Sequence, residues 1–429
     1  MSEFEQSLEE LKKNNLYLKD KDIVGIAGNF YDITYYIKHH PGGELIKKFI
    51  GKESSIVYNA FNHKPDYLNR LKKVGSYIQN INPIDKDFIE LGQKFEQMGF
   101  NQGNKQWFSL KILLIFLLIV GVFIMFSNFD HIIPQLLGSI CLFLAWQQSG
   151  FIMHDTMHSH LFHNPKYDEI VGVFFSVVIF GVNGLWWKED HNVHHALTGV
   201  IDIAEKWMDP QLLEGVWAQN TKMFPFFTQT IHYYLIKIQA FIFIPLNIIV
   251  GRYGIMIDSF FVGDYGKARS ILVFIPWIIH WMWTIYLFSF LPSWQRICLI
   301  YFITGCFQGI LHLQLLVSHY SKLMLYREEF DKTSWFKYNV DNNLNIACPY
   351  WFDWFHGGLN FHIEHHTYPM IPRHYYRQMA PYIQELCKKH DIQYDSLGWL
   401  EAVLNTLRHL SAISKEYVQN QDQYTSVKF

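Results

Sequence analysis

"HNVHH", residues 191–195, follows an almost unbroken apolar run, "IVGVFFSVVIFGVNGLWW" (170–187), and places three histidines in five positions at what reads as the edge of a membrane. Positions i, i+3 and i+4 lie on one face of a helix, so His191, His194 and His195 point their imidazoles one way. What they do depends on whether other histidines are placed to join them.

Two more groups qualify. His154 and His158 stand at i, i+4 in "SGFIMHDTMH", and His362, His365 and His366 repeat the one-face spacing in "HGGLNFHIEHH". Eight of the 22 histidines therefore fall in three clusters. A structural zinc closes with four ligands, so eight imidazoles point to two metal ions. His319, in "LLVSHYSK", is placed as a ninth ligand. Asp155, Asp190 and Glu364 lie in or beside the clusters, either to accept a second ring N–H or simply as solvated carboxylates. His160, His163, His312 and His356 read as ordinary packing or polar histidines.

The rest of the chain says where these clusters sit. Half of the 429 residues are hydrophobic and only 17% are charged, greasier than a soluble protein. The net charge of −2 argues against a nucleic-acid partner. Four stretches approach the ~20 residues that cross a bilayer: 107–127, 132–153, 271–291 and 297–317. The linkers "SNFDH" and "LPSWQR" carry one cation between them, whereas Arg252, Lys267, Arg269, Lys322 and Arg327 border the opposite ends. By the positive-inside rule those ends face the cytosol. The runs 170–187 and 224–250 are expected to lie in the interface, since a crossing at 170–187 would separate "HNVHH" from "HDTMH"; six spans are the fallback. The five cysteines, Cys141, Cys298, Cys306, Cys348 and Cys387, form no CxxC pair, which fits a reducing compartment. The charged start "MSEFEQSLEELKKNNLYLKDKD" is no signal peptide, so the N-terminus is expected in the cytosol.

Residues 1–100 have ordinary charge density and read as a soluble domain with its linker, ahead of a membrane domain over 101–429. In "GNFYDITYYIKHHPGGELIKKFIGKESSIVYNAFNHKP", His40 enters a Pro-Gly-Gly reversal and His63 follows 23 residues later. Two imidazoles supplied from two such turns can hold a haem iron from both sides, leaving a centre that transfers electrons. His39 is expected to face solvent. A haem beside two metals favours irons over redox-inert zinc.

The HPGG stretch resembles the cytochrome b5 haem domain, which implies an α+β domain holding haem b through His40 and His63. "WQQSGFIMHDTMH", "WWKEDHNVHH" and "CPYWFDWFHGGLNFHIEHHTYPMIPRHYYR" resemble the membrane fatty acid desaturases, and the whole chain is similar to their cytochrome b5 fusion members. That resemblance implies an all-α membrane domain of four transmembrane helices, interfacial helices and a cytosolic helical cap. It implies two non-haem irons held by His154, His158, His191, His194, His195, His362, His365 and His366, with His319 added. It also implies electrons from NADH through a cytochrome b5 reductase and the haem, O2 as co-substrate, a lipid acyl substrate, and a multi-pass place in the endoplasmic reticulum membrane with haem domain and boxes facing the cytosol. No retrieval signal is evident in the terminal "YTSVKF". The fusion family usually opens its third box with Gln; His362 here follows the rule of other desaturases, so metal binding should survive. The expected reaction is front-end cis desaturation of an acyl chain, with a delta-8 type sphingoid-base desaturase as the alternative, a lipid hydroxylase behind it, and a non-enzymatic electron carrier as the reading in which the boxes are idle. Trp186, Trp187, Trp351, Phe352, Trp354 and Phe355 are placed to line the mouth of an apolar acyl tunnel among the spans, but most of them are expected as interfacial anchors.

Overall fold

The computed structural model describes residues 3–63, 65–262 and 267–420; "YTSVKF" lies outside them. After helix α1 (Glu3–Asn14), strands β1 (Ile23–Ile26), β2 (Asn29–Asp32) and β3 (Lys72–Ser76) form an antiparallel sheet in that order. Side chains alternate across a strand, and here the alternation divides two cores. Ile23 and Phe30 face α1, where Phe4, Leu8 and Leu11 cover them, while Val24, Ile26 and Tyr31 face the segment that carries His40 and His63. A Cβ on Gly25 would stand 2.2 Å from the Phe4 ring, so the close seat of α1 on the sheet requires glycine there. Helix α2 (Ser55–Ala60) lies between the two histidine turns.

Helix α3 (Pro83–Gln97), capped by the Asn82 side chain, then buries its apolar face elsewhere. Phe88 stacks on Phe336 and Tyr368, and Phe95 meets Tyr368 and Tyr382 edge-on. The buried Asp85 carboxylate accepts from the Ser334 hydroxyl at 2.8 Å and the Phe336 N–H at 3.1 Å. One hydrophobic core therefore runs from the first 100 residues into the C-terminal part of the chain.

Where four spans are expected, five helices among the described residues are long and apolar enough to cross a membrane. Four coincide with the expected stretches: α4 (Lys105–Asn128), α5 (Ile132–Met157), α9 (Lys267–Phe288) and α10 (Trp294–Val317). The fifth, which qualifies by length and composition, is α8 (Thr230–Ile257), over most of the run 224–250 expected in the interface. Lys237, the one cation in the run before Arg252, lies over the Tyr233 ring at 5.8 Å. Helix α8 runs along α10 away from its histidine-bearing end: Ile236 shares a core with Val317 and Tyr320, and further along a Cβ on Gly305 would meet the Tyr253 ring. A Cβ on Gly309 would fall 2.4 Å from the Ile248 carbonyl; its absence is what lets α8 and α10 touch.

The run 170–187 is not one helix. Helix α6 (Pro165–Val173) continues as a π-helical turn to Phe180, the chain reverses at left-handed Gly181 (φ 81°), and α7 (Gly184–Ala196) leaves at 114°. Asn183 starts α7 by accepting from the N–H groups of Leu185 and Trp186. Arg252, which the sequence places at a cytosolic border, is instead 1% exposed. Its guanidinium stacks on Trp146 at 3.6 Å and donates to the Phe180 carbonyl at 3.0 Å, satisfying the end of the broken helix. A polar group inside apolar protein needs such a partner, and the reversal supplies one that no local pattern reveals.

Candidate metal centres

In the N-terminal unit the rings of His40 and His63 face each other with centroids 6.2 Å apart and planes 16° from parallel. Two metal–imidazole bonds of ~2 Å each, plus the two half-rings, fill that gap. The His63 Nδ1 stands 3.1 Å from the Tyr58 carbonyl, which leaves Nε2 for a metal. Between the rings opens an apolar cavity walled by Val24, Ile26, Leu45, Phe49, Val57 and Phe61. Burial holds the His40 imidazole down at about 4, hence neutral and able to ligate near pH 7. His39 is exposed, as expected.

The three boxes converge. The ligand atoms of His154, His158, His191, His195 and His365 all lie within 4.8 Å of one another, as do those of His194, His319 and His366. His362 joins the second group, its Nε2 2.8 Å from that of His319. In the first group the Nε2 atoms of His154 and His365, and of His191 and His195, approach to 2.9 Å, about the separation of adjacent ligands on one ion with ~2.1 Å bonds. The groups abut through His195 and His366, whose ring centroids are 4.4 Å apart. Both ring nitrogens of His158 and the Nε2 of His366 are buried without a protein partner. Nine crowded imidazole nitrogen donors around two positions fit two metal ions of the imidazole-preferring kind.

Four of their outer ring nitrogens are held. His194 Nδ1 stands 2.7 Å from Asp209, His191 Nδ1 2.8 Å from Gln211 Oε1, His365 Nδ1 2.9 Å from the Tyr376 hydroxyl and His366 Nδ1 3.1 Å from Thr198 Oγ1. Such contacts fix tautomer and aim. Of the three carboxylates singled out in the sequence, Asp155 is fully buried, 2.8 Å from Arg373 Nε and 3.5 Å from His154 Nδ1. Glu364 binds Tyr394 and Asn345 and no box histidine, while Asp190 is half-buried. Asp209 was invisible to motif reading. It lies in "WMDP", 14 residues beyond the box, and reaches His194 because Ile201 and Asp202 pair with Met208 and Trp207 in a short hairpin.

Asp209 also accepts from the Gly199 and Gln211 N–H groups. Substituting Asp209→Ala is expected to weaken metal retention ~10–100-fold, measured by metal content after dialysis against a graded chelator; undiminished retention would remove Asp209 from this role.

Burial first, then repulsion from neighbouring imidazoles, holds His158, His362, His365 and His366 well below their ordinary value of 6.5; the same order applies to His319, beside His194. A folded-state value below the unfolded one means that the unfolded chain takes up more protons as pH falls past 6.5. The stability contribution is thus intact above that pH and lost below it. The metal-free protein is expected to unfold at lower temperature at pH 5.5 than at pH 7.5, as read by thermal unfolding in detergent.

Trp187 is no interfacial anchor: it is buried and stacks on His191 at 3.9 Å. Trp351, by contrast, is 70% exposed. Gln147 and Gln148 of α5 donate to the Phe355 and Trp354 carbonyls at 3.0 Å, tying that aromatic loop to the span that carries box one. His160 bonds the Pro369 carbonyl and His163 accepts from the Gly103 N–H, the ordinary roles expected. A second, largely apolar cavity begins at His154 and Trp187 and is walled by Phe151, Met153, Leu311 and Leu315.

Comparison with known proteins accords with this geometry. Residues 130–398 match the fatty acid desaturase family model, and residues 7–80 match the cytochrome b5-like heme/steroid binding domain. The chain is 29% identical to delta(8)-fatty-acid desaturase 2 of Arabidopsis thaliana, over 94% of this chain and 91% of that protein. It is 27% identical to an acyl-lipid (9-3)-desaturase of Borago officinalis, over 90% and 89%. It is 26% identical to a delta 8-(E)-sphingolipid desaturase of Komagataella phaffii, over 80% and 65%.

Proposed function

Because the chain belongs to the fatty acid desaturase family and carries a cytochrome b5-like domain ahead of the desaturase domain, we propose that it is a membrane oxidoreductase inserting a double bond near the carboxyl end of a fatty acyl chain. The observation that carries this reading is the meeting of all three boxes at one dry cluster, open on one side to an apolar cavity. We assign His40 and His63 as the residues that would hold haem. His154, His158, His191, His195 and His365 would hold one iron, and His194, His319, His362 and His366 the other. We place the soluble domain and its linker at 1–100 and the membrane domain at 101–429.

When bound, a reduced pair of irons supplies with O2 the oxidising power that no side chain has. The protein's own share is positional. Imidazoles kept neutral by burial remain ligands, Asp209 holds the His194 tautomer, and Trp187 fixes the plane of His191. The walls Phe151, Met153, Leu311 and Leu315 exclude water and hold a CH2–CH2 unit against the His154 side of the cluster. NADH-derived electrons delivered by a cytochrome b5 reductase, and residence in the endoplasmic reticulum with boxes and haem domain toward the cytosol, complete the proposal.

A second reading, desaturation of a sphingoid base at the delta-8 position, is favoured by the likeness to the delta 8-(E)-sphingolipid desaturase. Total fatty acid and long-chain-base profiles of yeast expressing the chain, fed candidate acyl substrates, separate the two. A new acyl product two mass units lighter supports the first reading and an unsaturated long-chain base the second; a product 16 units heavier would replace both with hydroxylation.

A further inference from the structure

The cavity between His40 and His63 is not closed by the N-terminal domain alone. Met157, Ser159, Lys188, Asn192 and Met370 also line it, and all belong to the desaturase domain. Two of these flank His158 in sequence, and Asn192 directly follows His191. On α7 the i, i+4 pair Lys188 and Asn192 faces the cavity while His191, His194 and His195 face the metal cluster. The Pro-Gly-Gly loop rests on this helix: a Cβ on Gly42 would stand 3.9 Å from Asn192 Nδ2, and one on left-handed Gly43 3.3 Å from Glu189 Cγ.

Contacts around the rim hold this arrangement in place. Lys48 pairs with Glu205 at 3.0 Å and lies over the Trp207 ring, and Lys52 pairs with Asp331 at 2.7 Å. Beneath them, Leu45 and Phe49 share a core with Ala196, Leu197 and Val200 at the end of α7. Exposed ion pairs contribute ~1 kcal/mol at most; the shared apolar core carries the docking.

We propose that the haem site is composite, its fourth wall supplied by Lys188 and Asn192 of the desaturase domain, so that α7 is a single helix with the haem on one face and the metal cluster on the other. Haem carries two carboxylates, and Lys188, 8% exposed and paired with Glu169 at 3.2 Å, brings a cation to the cavity wall. Asn192 and Lys188 are positioning residues: they touch no reacting atom of the lipid, and set where the haem lies relative to His191. The proposal rests on haem being held by His40 and His63.

The test uses the full-length, haem- and metal-loaded protein and two variants, Lys188→Gln and Asn192→Leu. Haem transfer to apomyoglobin should be about tenfold faster in both, ~1.4 kcal/mol of haem binding. The haem midpoint potential of Lys188→Gln should also fall, because a cation removed from the cavity wall no longer favours the reduced, less positive haem. Iron content and thermal unfolding report whether each variant folds, and if one does not, the other carries the test. Parental transfer rates and potential in a folded variant would overturn the composite site. A parent protein with no Soret band would instead overturn the haem assignment beneath it.

Discussion

Replacing His195 by alanine is expected to abolish desaturation and to leave the protein short of its metal complement. His195 is fully buried at the contact between the two ligand groups, 2.9 Å from His191 through the Nε2 atoms, with its ring centroid 4.3 Å from His365 and 4.4 Å from His366. Loss of an outer-sphere partner typically weakens a metal site ~10–100-fold, and loss of a ligand exceeds that. Iron per chain by mass spectrometry and product by lipid analysis form the measurement. A variant with full iron and parental product would disprove the assignment, and retained iron without product would move His195 from holding the metal to shaping the reaction.

Substituting His63→Ala is expected to remove the haem while sparing the irons. His63 lies opposite His40, its Nδ1 held near the Tyr58 carbonyl, and no second imidazole among the described residues stands within reach of that position. One axial ligand in a cavity with an open side cannot retain haem as two do, so the Soret band should disappear from the purified protein. Product formation driven by NADH and the reductase should vanish with it, while iron content stays at the parental level. A six-coordinate haem spectrum in this variant would show that another side chain is the ligand.

Much of this was legible in the sequence because helical spacing is local. Box histidines at i, i+3 and i+4 declare their common face, and HPGG declares its turn. The apolar runs of α4, α5, α9 and α10 declare their length, each differing from expectation by a few residues at its ends. What the sequence hid are contacts between distant segments. Asp209 reaches His194 through a hairpin of two short strands that no periodicity marks. Arg252 resembles a membrane-border cation until a chain reversal 72 residues away brings the Phe180 carbonyl to it. Trp187 has the composition of an interfacial anchor, and only the direction of α7 turns it onto His191. The apolar character of α8 was plain, but its bounds were not: the run read over 224–250 folds as a helix over 230–257.

The core shared across the chain through α3 has a kinetic meaning. With Phe88 and Phe95 locked among Phe336, Tyr368 and Tyr382, donor and acceptor are never separate molecules, and their encounter is replaced by a fixed adjacency whose effective concentration is independent of how dilute the enzyme is. On the proposed route, delivery from haem to cluster would then be first-order. Crowding, membrane dilution and competing carriers would act only on the earlier step, where the haem itself is reduced.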